Sequence, residues 1–265
     1  MALNSRAAGL FEVEVAGEVR RGGDDPAFIT AYVGSFLLYI VVLLYAVAVM
    51  RSVLEEKTSR IVEVILSSMR PWELMLGKIL GVGAVGLTQL AIWIGVGVLF
   101  LAAGLPALAA SRPEVLTPEV LAEAVPGAGF AALMVTYFLG GYFIYSGLYA
   151  AVGASCNTDE EAQHAQMPVV LLLVVPIAFV APVIQDPTGT LSVVLSFVPF
   201  FTPILMFARA AVGGVTPFEV AASVILMAAT VVGVAWVAGR IYRVGILMAG
   251  KRPTLPEIWR WVRTG

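Results

Sequence analysis

Long apolar runs with uncharged interiors alternate with short polar connections along the whole chain. The runs fall at about residues 28–50, 79–104, 128–154, 168–184 and 218–238, and they predict five membrane-spanning helices. At ~1.5 Å of rise per residue, about 20 residues cross a ~30 Å hydrocarbon core. The fourth run is the shortest and contains Pro176 and Pro182, so its helix is expected to kink. Between Gln185 and Pro217 the apolar pattern breaks at Pro199, Pro203 and Gly213-Gly214 into pieces too short to span. Short or re-entrant helices packed against protein are expected there, because lipid offers no partner to irregular backbone.

The main polar interruption, Arg51 to Lys78, has helical periodicity of its own. Leu54, Thr58, Ile61, Val62, Ile65 and Leu66 share one side of a wheel, with Ser52, Glu56, Ser59, Arg60 and Glu63 opposite. Glu56 with Arg60 and Arg60 with Glu63 have the spacing of surface ion pairs, each worth ~0.2–0.5 kcal/mol. Ser67 and Ser68 suit a new helix start and Pro71 its first turn, so two helices are expected to meet near Ser68 to Pro71. Such an element suits either a surface gripped by another protein or a helix lying on lipid headgroups.

Other features refine the picture. Phe11, Val13 and Val15 alternate with Glu12 and Glu14 as in a half-buried strand, and Arg20 to Pro26 is turn-rich. Residues 1–27 therefore resemble the end of a larger extracellular domain, and no cleaved signal peptide is expected at residues 1–9. On the second span Gly77, Gly81 and Gly95 recur, with Gly83, Gly86 and Gly97 nearby, which predicts close approach by a neighbouring helix. Gln89 is that span's most polar residue and should face protein or a cavity. Tyr142, Tyr145 and Tyr149 share a face of the third span, where they either line a path with hydroxyls or pack between helices. A short helix beginning at Thr117-Pro118-Glu119 is expected, and another in the polar link Asn157 to Met167, capped by Asn157 or Thr158 with Asp159, Glu160 and Glu161 in its first turn. His164 in that link is expected on the surface.

Composition narrows the class. Sixty per cent of residues are hydrophobic and 13% charged, with a mean hydropathy of +0.93, against ~45–50% apolar and ~25% charged in a soluble domain. A net charge of −2 argues against a nucleic-acid partner, a single Cys156 excludes an intramolecular disulfide and a multi-Cys metal site, and a single His164 leaves no imidazole partner for a metal or a Ser/His triad. No catalytic constellation is found, Ser146 having no base nearby in sequence. Arg51 to Lys78 holds five cations and Arg240 onward six, eleven of the sixteen, which predicts that both regions, including the tail from residue 239 to 265, lie in the cytoplasm. Five spans then put the N-terminus outside and the Asn157 to Met167 link in the cytoplasm.

The segment EEKTSRIVEVILSSMRPWELMLGKILG resembles the cytoplasmic segment of ABC type 2 exporter permeases, specifically the sodium-efflux-permease-like branch. EEAQHAQMP, FVPFFTPILMFAR and GRIYRVGILMAGKRPTLPEIWRW resemble the same branch in the same order, covering nearly all of residues 28–263. The resemblance implies an all-α integral membrane protein of about five spans, with a cytoplasmic amphipathic coupling helix and short extracellular or re-entrant helices. It implies a multi-pass permease of the cell membrane that works in a dimer, with a second copy or a sister permease. A separate cytoplasmic ATPase would hold ATP and magnesium. Carried over by position, Glu55, Glu56, Lys57, Arg60, Glu63, Ser67, Ser68, Pro71 and Lys78 would form the ATPase-coupling region, and Glu160, Glu161 and Gln163 a second cytoplasmic contact. Gln89, Tyr142 and Tyr145 are the candidate transport path, and Pro199, Phe200, Pro203 and Arg209 the outer short-helix region. Family members usually carry one more span and a large extracellular domain before this point.

No GxxxxGK[ST] loop occurs, so no ATP-binding cofactor site is expected on the chain itself, which is not expected to be an enzyme. Two rivals remain: an ion-coupled secondary transporter, disfavoured by span interiors without ionisable residues, and a non-transporting membrane anchor for a regulatory ATPase.

Overall fold

A computed structural model describes residues 12–15, 18–21, 26–59, 70–104, 128–246, 248 and 257. Strand β1, Glu12–Val15, pairs antiparallel with β2, Glu18–Arg21, with Glu12 opposite Arg21 and Val15 opposite Glu18. The expected strand thus finds its ladder partner in a stretch whose Arg20 and Arg21 sequence reasoning had given to a turn, because a strand's backbone groups need pairing. The other regular elements described are helices: α1, Pro26–Thr58; α2, Pro71–Leu99, ending in a π-helical turn over Phe100–Gly104; α3, Ala128–Ser155; α4, Asp159–Ala165; α5, Met167–Gln185; α6, Thr190–Ser196; α7, Thr202–Ala211; and α8, Pro217–Gly245.

Among the described residues, α1, α2, α3, α5 and α8 are long and apolar enough to cross a membrane. The protein is a multi-pass, all-helical membrane protein with one small hairpin. Two spans run on into the charged stretch. From Pro26 to Thr58, α1 is unbroken, and its 33 residues reach about 50 Å, well beyond a ~30 Å core. Nothing after Gly34 interrupts it, and Arg51, Leu54, Glu55, Glu56 and Lys57 all favour helix. As the sequence predicts, α2 starts with Pro71 in its first turn, and the Arg70 backbone N–H donates to the Glu73 carboxylate at 2.9 Å. Residues 60–69, where the bend is expected, and 105–127, with the short helix expected to begin at Thr117-Pro118-Glu119, lie outside the described residues.

The core is built around α3, which packs along α1 and α8, while α1, α3 and α5 surround α7. Every residue from Thr202 to Arg209 is buried, so the ten-residue α7 cannot span and instead sits inside protein, as a short piece in a membrane must. Aromatic rings press into small residues where helices meet. Gly83 and Gly86 of α2 take Tyr142 and the rings of Phe138 and Tyr45, whereas Gly77, Gly81 and Gly95 face open space. Close approach on α2 therefore uses the two glycines directed at the aromatic face of α3, and the recurring set is left outward.

Proline chemistry shapes α5. Pro176 lacks the N–H that would serve the Leu172 carbonyl, and the single O–H of Tyr145 from α3 is shared between that carbonyl at 3.0 Å and the Phe200 carbonyl at 2.8 Å. One phenol thereby ties α3, α5 and the approach to α7 together.

Candidate functional site at the hairpin end

At the end of the bundle where α1 stops and α2 begins, charged side chains reach between helices. Lys78 of α2 lies 2.7 Å from the Glu56 carboxylate of α1 and donates to the Ser52 carbonyl at 2.6 Å; the two side chains are 8% and 26% exposed. Glu56 lies within electrostatic reach of Tyr242 of α8, whose buried hydroxyl has no hydrogen-bond partner among the described residues. One residue further along α1, Lys57 donates to the Ala154 carbonyl of α3 at 2.7 Å. The last carbonyls of a helix lack intrahelical donors and carry partial negative charge, so an ammonium there is doubly favoured.

Lys57 lies within electrostatic reach of Cys156 and Glu161 as well. Thr158 and Glu161 form a reciprocal cap at the start of α4: the Glu161 N–H donates to Thr158 Oγ1 at 3.2 Å, and the Asn157 N–H donates to Glu161 Oε2 at 2.9 Å. This is the cap and acidic first turn that the sequence predicts. The backbones are tight here too. A Cβ on Gly153 would lie 2.6 Å from the Met50 carbonyl oxygen, and one on Gly245 2.7 Å from that of Ala154. The end of α1 is thus fastened to α2 and to the end of α3, which in turn lies against the end of α8.

Of the residues singled out by sequence, Glu56, Lys57, Lys78 and Glu161 come together in this cluster. Glu55, Glu160, Gln163 and His164 are exposed at the same end, and Pro71 begins α2. Arg60, Glu63, Ser67 and Ser68 lie outside the described residues, and with them the expected pairs of Arg60. Glu56 does not occupy an outward polar face, because α2 returns alongside α1 and supplies Lys78 as its partner. Thr58, assigned to the apolar side, is exposed. Sequence reasoning missed Tyr242 and the carbonyl of Ala154, since a backbone acceptor on another helix leaves no mark in residue type.

The path candidates are dispersed. Tyr142 is buried and donates to the Ile79 carbonyl at 2.6 Å, Tyr145 is buried on the carbonyls already described, and Gln89 is half-buried on α2. None of the three lines the cavity of about 470 Å³ that opens between α1, α2 and α3 at the opposite end.

That opposite end carries the short-helix region. Arg209 is 1% exposed; it donates to the Pro187 carbonyl at 2.7 Å, to Ser196 Oγ at 2.8 Å and to Glu219 at 2.9 Å. Glu219 in turn caps α8 by accepting from the Thr216 N–H at 2.8 Å. Pro203 packs where a Cβ on Gly141 would stand, and the Phe200 carbonyl meets Tyr145. Pro199 lies half-buried in the turn between α6 and α7.

Comparison with known proteins gives consistent results. A family model described as ABC-2 family transporter protein matches residues 18–240. A Bacillus subtilis protein named uncharacterized protein YhaP is 34% identical over 88% of this chain and 54% of its own length. A Methanocaldococcus jannaschii protein named uncharacterized protein MJ1024 is 28% identical over 84% of this chain and 51% of its own. The chain spans about half the length of these curated relatives. No solved structure matches it.

Proposed function

The chain belongs to the ABC-2 transporter family, and from that premise we propose that it forms the membrane part of an exporter driven by a separate ATP-binding-cassette ATPase. In this reading the hairpin end faces the cytoplasm, as its cations require, and the N-terminus lies outside. The ATPase holds ATP and magnesium and engages the exposed residues of α1 and α4 at that end. A second permease half, identical or related, completes the assembly.

The observation that carries the proposal is the tie made by Lys57. It bonds α1, which leads into the charged hairpin, to the end of α3, directly before α4, and its charge lies within reach of Glu161 on α4, so in this reading the two segments expected to meet the ATPase move together. A push on the hairpin is then delivered to several spans at once rather than dissipated in a loose loop, as a rigid-body switch between inward- and outward-open states needs. The buried α7, seated among α1, α3 and α5, would be displaced by such a tilt.

The test is purification of the tagged full-length protein from its native membrane, with mass and ATPase activity measured in the eluate. A co-purifying P-loop ATPase is expected, with Lys57→Met leaving the complex intact and lowering transport per ATP hydrolysed by about tenfold. Absence of any ATPase, together with transport that survives ATP depletion, would overturn the proposal.

A further inference from the structure

The cavity of about 470 Å³ at the end opposite the hairpin is walled by α1 from Ile29 to Leu37, by α2 and its π-helical turn from Trp93 to Phe100, and by α3 from Phe130 to Met134. Among the described residues, every side chain lining it is apolar apart from Thr30 and the indole of Trp93, and none is charged. Its volume falls within the ~300–1,000 Å³ of ligand sites, but the described residues supply no convergent polar groups to orient a polar guest. Water gains nothing there either, since apolar cavities of this kind stay dry.

Its mouth opens outward between spans. Val33 on one lip is 55% exposed and Val98 on the other 51%, so in a bilayer the opening faces lipid tails. The walls have the matching depth: Ile29 to Leu37 covers about 12 Å of helix and Trp93 to Phe100 about 10 Å, most of one leaflet of a ~30 Å core. Size argues against a transmembrane helix of a second copy, because a cylinder ~10–12 Å across would fill this volume in about one turn.

We propose that the cavity is a lipid site that takes one acyl chain of a phospholipid from the leaflet on that side. The inner wall gives the site a structural consequence. Phe130 meets Phe207 of α7 edge-on, with ring centroids 5.2 Å apart, and both rings close on Gly34. A chain in the cavity therefore supports the rings on which the buried α7 is seated.

The glycines of α2 provide the test. Gly97 lines the cavity and Gly95 does not, yet a Cβ at either would meet no described protein atom within 4 Å. Gly97→Phe should fill the cavity without displacing a helix, and Gly95→Phe serves as its control. The full-length protein is reconstituted in nanodiscs containing a phospholipid with a photoreactive diazirine in its acyl chain, and labelled peptides are mapped by mass spectrometry. Labelling is expected to concentrate on residues 29–37, 93–100 and 130–134, to fall about tenfold in Gly97→Phe, and to persist in Gly95→Phe. Even labelling along all exposed faces of α1, α2 and α8 of the unmodified protein would overturn the proposal, as would unchanged labelling in a folded Gly97→Phe or cross-links between two copies at these segments. The unmodified protein decides the question even if a variant fails to fold. No ATPase is present in the assay, so its result is independent of the exporter reading.

Discussion

Replacing Lys78 by Met removes the cation from the hairpin end while keeping the length and apolar stem of the side chain. Glu56 would lose the ammonium 2.7 Å away, with its carboxylate still enclosed between α1 and α2. Stranding a fully buried ion costs about 3–5 kcal/mol, and loss of an exposed pair about 0–1 kcal/mol. With Glu56 26% exposed and Lys78 8%, the site lies between these limits, and about 2 kcal/mol is the expected penalty, or about 30-fold in a local opening equilibrium. Hydrogen exchange of the full-length protein in nanodiscs reads this directly. Peptides covering Leu74 to Val82 and Ser52 to Thr58 should exchange about 30-fold faster in Lys78→Met, while those in α7 stay protected. Adding Glu56→Leu should restore most of the protection, because an apolar pair of similar volume replaces an ion pair at little cost. Exchange in Lys78→Met within threefold of the parent, or a double variant no better than the single, would refute the view that this pair holds the helices together.

Three further outcomes follow from the packing. Arg209→Met removes the guanidinium from Glu219, Ser196 and the Pro187 carbonyl and should lower stability by about 3 kcal/mol in thermal unfolding; Arg209→Lys should recover only part of this, since one ammonium cannot reproduce the fork. Tyr145→Phe removes the hydroxyl that serves two carbonyls and should cost about 1–2 kcal/mol in the same assay. Gly153→Val, which would press a side chain onto the Met50 carbonyl, should be destabilising by more than about 2 kcal/mol, whereas Gly81→Ala, facing open space, should be neutral or stabilising by up to about 1 kcal/mol.

Several local patterns in the sequence led to the right elements. Apolar runs marked all five spans, Pro71 marked the start of α2, and the Thr158 to Glu161 spacing marked the cap of α4, because each depends on neighbours within a turn or two. The broken stretch before Pro217 was legible as short helices for the same reason, although its Arg209 anchor was not, since Pro187, Ser196 and Glu219 converge only in three dimensions. Glu56 shows the limit most clearly. A helical wheel treats α1 as if water surrounded its polar side, and α2 returning along that side converts a surface charge into an enclosed one. The tyrosine stripe on α3 left open whether its hydroxyls line a path or pack. The structure places those of Tyr142 and Tyr145 on backbone carbonyls, one of which Pro176 deprives of its helical donor.

The claim that the hairpin end meets a separate ATPase is tested most directly by photo-cross-linking from single positions in the native membrane. Glu160 is exposed on α4 at the hairpin end, and Thr188 is exposed at the opposite end between α5 and α6. A photoreactive amino acid at position 160 should capture a P-loop ATPase, with a yield that changes when ATP is added, while position 188 should capture none. Capture of the ATPase from position 188, or from neither position in membranes where transport proceeds, would contradict the account.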